Sequence, residues 1–200
     1  MGLKERLQQQ LSPEYQKQVF EDVSAAMAEK YPGNNKAHCL YWAYALRHRL
    51  LQDQIPTIVQ GGTALWPRMR PDQDDKESPT HFGYVWDPDS RESRMALSAG
   101  ALPEMHVWNV IPVVRHVIDL TTHAWPTRCW EMIHYDWIGD KPPEFMWCHF
   151  NSLPDHVVYK PISPATMLAQ KLFNRLDSGR LAFGSAPGEA TAHGKFPGNP

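Results

Sequence analysis

Two β-branched and aromatic runs, each interrupted by one ionisable group, constrain this chain most. The first is Met105-His106-Val107-Trp108-Asn109-Val110, and the second is Val117-Ile118-Asp119-Leu120-Thr121. Residues of this kind fit a pleated, half-buried surface. Two consecutive strands joined by a short connection pair antiparallel. With the turn centred near Pro112-Val113, His106 and Asp119 face each other, their Cβ atoms about 4.5 to 5.5 Å apart on one face of the sheet. An ionised carboxylate is costly to bury without a donor. The spacing therefore predicts that Asp119 accepts a proton bond from one imidazole nitrogen, fixing the tautomer and leaving the other nitrogen for a further partner.

A nucleophile for that second nitrogen is sought among the cysteines. There are only 3, Cys39, Cys129 and Cys148, with no CxxC pair, which argues against a disulfide framework and fits a reducing compartment. Residues 37–51 carry apolar side chains at three- and four-residue steps (Leu40, Ala43, Leu46, Leu50), so a helix begins near Ala37 and Cys39 falls in its first turn. Unpaired amides and the helix dipole favour a thiolate there. If this helix packs on the hairpin, Cys39, His106 and Asp119 form a triad. His81, opening Thr80-His81-Phe82-Gly83-Tyr84-Val85-Trp86, competes with His106 but has no downstream strand aspartate.

Taken together, Cys39 opening a helix, His106-Val107-Trp108 and Asp119-Leu120-Thr121 resemble the transglutaminase-like branch of the papain-like cysteine enzymes, over roughly residues 34–122. The stretch Ala37-His38-Cys39-Leu40-Tyr41-Trp42 departs from the Gly-x-Cys-Trp of the animal crosslinking enzymes, and there is no Asp-x-Asp loop suited to calcium. The resemblance implies acyl transfer through a thioester, with Cys39 as nucleophile, His106 as acid and base, and Asp119 orienting the ring. Water as acceptor makes a peptide or amide hydrolase acting on a peptide, protein or small amide. An acyl or amine transferase is the alternative, as is an inactive binding module or an assembly protein on the same fold. The oxyanion would be held by the Cys39 amide and one further donor, with Gln60, Asn34 and Asn35 as candidates. His81, Trp42, Trp66 and Trp108 are candidates for a substrate groove. No cofactor is expected. Cys129, His134, Cys148, His149 and His123 match no standard zinc spacing, so no metal is expected either.

The rest of the chain frames an α+β domain, papain-like or transglutaminase-like, with N-terminal helices packed on a small antiparallel sheet. Residues 1–177 read as that domain: a helical part over 1–52, a sheet core of about four strands over 55–122, and an aromatic-rich segment over 123–177. In the last, Trp125, Trp130, Tyr135, Trp137, Phe145 and Trp147 are expected to cover one side of the site. Val157-Val158-Tyr159 reads as a strand and Pro164 to Leu176 as a helix, while Arg68 to Thr80 reads as a surface loop. Five of the 12 glycines follow Ser178, so residues 178–200 read as a disordered tail. A formal charge of -2 argues against nucleic acid as a partner. No apolar run approaches the roughly 20 residues that span a bilayer, and MGLKERLQQQ lacks a signal-peptide pattern. A cytoplasmic protein with no membrane partner is expected.

Overall fold

The structure, a computed structural model, describes residues 2–30, 39–69, 79–98 and 105–180. It is a mixed α+β fold in which helices pack on a curled, six-stranded antiparallel sheet. In chain order the elements are helices α1 (Leu3–Gln10), α2 (Pro13–Lys30) and α3 (Cys39–Gln52), strands β1 (Ile58–Pro67) and β2 (His81–Tyr84), helix α4 (Arg91–Ser98), strands β3 (His106–Ile111) and β4 (His116–Asp119), helix α5 (Trp125–Ile133), strands β5 (Met146–His149) and β6 (Val158–Pro161), and helix α6 (Ser163–Asp177). Among the described residues no helix is long and apolar enough to cross a membrane.

The sheet order is β2-β1-β3-β4-β5, with β6 also on β1. The strands expected over 55–122 and at Val157-Val158-Tyr159 are present as β1 to β4 and β6; β5, hidden in an aromatic stretch with no clean period, exceeds them. Helix α4 was not expected from the sequence at all. Gly61-Gly62 lies inside β1. A Cβ on Gly61 would stand 2.8 Å from the Ala165 carbonyl of α6, and one on Gly62 would strike the Lys160 carbonyl of β6. The glycines let a helix and a strand cross β1 at backbone distance.

Strand alternation sends successive residues to opposite faces, and this sheet buries both. Val107, Ile111, Ile118 and Trp147 join Leu40, Leu46 and Leu50 of α3, Leu172 and Phe173 of α6, and α2 in one core. Their neighbours in sequence, Trp108, Val117 and Met146, join Trp66, Phe82, Tyr159 and, from α5, Trp125 and Cys129 in a second. Arg49 ties α3 to α2 by bonding Asp22 at 2.7 Å, and Tyr15 of α2 donates to Asp53 at 2.6 Å.

The β3–β4 hairpin is offset from expectation. Asn109 pairs with Ile118 and Ile111 with His116, a register shifted by two residues. Pro112–Val114 form a 3-10 turn and Arg115 takes a left-handed φ of 55°, which lengthens the connection. His106 and Asp119 are therefore diagonal rather than directly opposite, yet share a face because the shift is even. Arg68, placed by sequence in a surface loop, is buried, its Nε donating to the Pro79 carbonyl at 2.9 Å. Most of that loop, and residues 181–200 of the expected tail, lie outside the described residues.

Candidate active site

The site forms at strand ends: His106 is the first residue of β3 and Asp119 the last of β4, while Cys39 opens the described part of α3. Helix α3 covers the face carrying Val107, whereas the His106 ring springs from the other face. Being terminal, the two meet around the end of the strand: Cys39 Sγ lies 4.0 Å from the Met105 carbonyl, one residue before His106. A small cavity of about 10 Å³ is lined by Cys39, His106, Tyr84, Thr121, Ala124, Trp125 and Arg128.

His106 and Asp119 are both buried, with Nε2 and Oδ2 2.7 Å apart. A carboxylate only accepts, so Nε2 carries the proton. Asp119 is saturated with donors: Oδ2 also accepts from the Tyr159 hydroxyl at 2.6 Å, while Oδ1 accepts from the Thr121 amide at 2.8 Å and the Thr121 hydroxyl at 2.6 Å. Tyr159 in turn accepts from Trp66 Nε1 at 3.1 Å, so a chain of donors runs from β1 through β6 to β4. Tyr84 stacks on the imidazole at 5.3 Å and Trp125 meets it edge-on at 5.2 Å, which keeps water from the pair. Low local dielectric strengthens an ion pair whose bonds are satisfied.

Burial alone would lower the pKa of His106. The Asp119 carboxylate, by charge and hydrogen bond, and then the Cys39 sulfur outweigh it, so the ring is pushed up to about 10. Burial works to raise Asp119, but His106, Thr121 and Tyr159 hold it below the usual carboxylate range. Tyr159 is held well above the ordinary tyrosine value, by burial first and the adjacent carboxylate second. Nδ1 of His106 is buried and makes no formed hydrogen bond, while Cys39 is near enough to favour a proton on the ring. One ring nitrogen is thus anchored by a carboxylate, and the other has no partner on a ring that lines one cavity with Cys39.

The structure brings Cys39, His106 and Asp119 together and sends the remaining candidates elsewhere. Gln60 lines neither cavity containing Cys39; its Oε1 accepts from Trp108 Nε1 at 3.1 Å, because the two residues pair across β1 and β3. Asn34 and Asn35 lie outside the described residues. His81 pairs with Pro67 at the far end of β2 and lines neither cavity, so it is no groove residue for Cys39. Trp66, Trp42 and Trp108 are buried at 4%, 3% and 1% exposure. Trp42 and Trp108 do line a second cavity with Cys39, but it too is about 10 Å³, room for a single water rather than a substrate. These indoles build core, not groove. Of the aromatic segment, only Trp125 of the residues named in advance stands over the site; Phe145 and Trp147 pack on the opposite face. Among the described residues no cluster of three or more His, Cys, Asp or Glu could hold a metal.

Three contributors escaped sequence reading: Tyr159, Tyr84 and Arg128. Their signal was weak, since each sits in a short or aperiodic segment. Comparison with known proteins gives no match to any family model, curated protein or solved structure.

Proposed function

We propose that this protein is a cysteine-dependent hydrolase of peptide or amide bonds, working through Cys39, His106 and Asp119 on a papain-like, transglutaminase-like scaffold. The observation that carries the reading is the buried 2.7 Å His106–Asp119 pair whose free nitrogen shares a cavity with the Cys39 sulfur. A buried ion pair seldom adds net stability over a well-packed apolar alternative. A cost of that kind, next to a thiol in the first turn of a helix, is expected where a proton must be held and moved.

In the reaction the Cys39 sulfur, its proton held on His106 Nδ1, attacks the amide carbonyl carbon. The S–C bond forms as the C=O π pair moves to oxygen. Collapse of that intermediate breaks the C–N bond, and the Nδ1 proton goes to the departing amine. Water then attacks the thioester, gives one proton to Nδ1, and the C–S bond breaks to release the acid and restore the thiol. Asp119 keeps Nε2–H fixed throughout, so the ring presents the same nitrogen in both halves of the cycle. The Cys39 backbone amide, in the first turn of α3, is the oxyanion donor.

The test is exposure to a panel of peptidyl vinyl sulfones with mass mapping of adducts. Burial pushes up the thiols of Cys129 and Cys148. Adducts should therefore concentrate on Cys39 and fall sharply in His106→Gln, whose folding is checked by near-ultraviolet circular dichroism. Adducts spread equally over Cys39 and Cys148, or insensitive to a folded His106→Gln, would defeat the proposal.

A further inference from the structure

Among the described residues, Arg128 is the permanent cation lining the cavity shared by Cys39 and His106. It sits on α5 one turn after Trp125, the residue packed edge-on against the imidazole. Its side chain is 30% exposed. The outer nitrogen, Nη1, bonds Glu131 at 2.7 Å, while Nε is buried and has no hydrogen-bond partner. A buried donor on a permanent cation is costly to leave unpaired. The guanidinium presents its donors as a planar fork whose geometry matches a carboxylate. Glu131 engages Nη1 and Tyr84 also bonds the guanidinium, so Nε is the donor left for an incoming carboxylate. Tyr84, which lines the same cavity, is a hydrogen-bond partner of the guanidinium; burial, and then the nearby Cys39, raise its pKa to about 12 despite that bond, so its hydroxyl stays protonated at neutral pH.

We propose that Arg128 is a specificity residue, a carboxylate-reading fork that selects substrates carrying a carboxylate beside the scissile amide. The proposal rests on Cys39 being the nucleophile, and it adds the substrate class: an anionic amide or peptide. The carboxylate comes either from a chain terminus or from an acidic side chain.

Iodoacetate and iodoacetamide are nearly isosteric alkylating agents that differ in one carboxylate, so their relative rates at Cys39, followed by mass mapping, read the fork directly. The iodoacetate-to-iodoacetamide rate ratio at Cys39 should exceed that of glutathione on the order of tenfold, the gain of one charge-assisted bond. Arg128→Gln should return it to the glutathione value and Arg128→Lys should fall between. Glu131→Gln, a surface change, should raise the ratio by freeing Nη1. Protection of Cys39 by N-acetylglycylglycine, compared with protection by an N-acetylaspartyl amide, distinguishes the terminal from the side-chain carboxylate. A wild-type ratio equal to that of glutathione, or one unmoved by both Arg128→Gln and Glu131→Gln, overturns the specificity role while leaving the nucleophile intact. Cys39 reacting with neither reagent faster than Cys148 overturns the nucleophile, and the specificity role with it.

Discussion

The two faces of the sheet solve the burial problem differently. Beneath α2, α3 and α6 the strands present Val107, Ile111 and Ile118 to Leu46, Leu50 and Leu172, an aliphatic core with Asn109 set in it. Asn109 is wholly buried, and neither amide atom finds a hydrogen-bond partner. On the other face Trp66, Trp108, Trp125 and Tyr159 surround His106 and Asp119, and the carboxylate receives four hydrogen bonds. Polar groups are thus tolerated singly on one side and organised into a network on the other. The network is specified: its donors come from β3, β6 and the turn after β4, and each is aimed at one carboxylate. A core built only for stability needs no such convergence.

The largest expected effect is at the carboxylate. Asp119→Ala strands four donors and leaves a void, so it should cost about 3–5 kcal/mol in urea unfolding. A loss under about 1 kcal/mol would mean that the network contributes no more than an ordinary surface pair.

Next comes pH. The folded His106 is raised to about 10 against an ordinary value of 6.5. Its contribution is fully present below pH 6.5 and is lost as pH climbs toward the folded value, because the folded state then binds the extra proton. Between pH 7 and 8.5 stability should fall by up to about 1.4 kcal/mol per pH unit, one proton's worth. This window lies below the titration of the unfolded thiols. It also lies above that of His116, which burial and then His149 lower. In Asp119→Asn the slope should vanish, and an equal slope in both proteins would assign it to other groups.

The smallest effect is on the helix-covered face. Asn109→Leu replaces an unpaired buried amide with an apolar side chain of similar volume and should be neutral or stabilise by about 1 kcal/mol. If it destabilises as much as Asp119→Ala, the two faces are not different in kind.

How far the site was legible depends on separation along the chain. His106 and Asp119 were readable because a histidine and an aspartate in adjacent β-branched runs have a face set by parity, and parity survived the two-residue shift that Arg115 introduced. Gln60 was misplaced because its pairing with Trp108 keeps it out of both cavities that Cys39 lines, and pairing across β1 and β3 is a long-range fact. Tyr159 reaches Asp119 from 40 positions away on a strand that pairs with β1. Nothing local to Val157-Val158-Tyr159 marks its hydroxyl for that use.

By itself the sequence determined which residues could do chemistry and which elements carry them. An apolar stripe made α3, β-branched runs made β3 and β4, and a cysteine opening the helix stood ready. Local propensity and periodicity act within a few residues, so they reach that far. Only the tertiary structure decided that sulfur and imidazole meet around a strand end, that four donors saturate one carboxylate, and that a guanidinium stands at the rim. Those outcomes depend on crossings between distant segments, such as α6 and β6 over Gly61-Gly62, where close approach is a property of the packed whole.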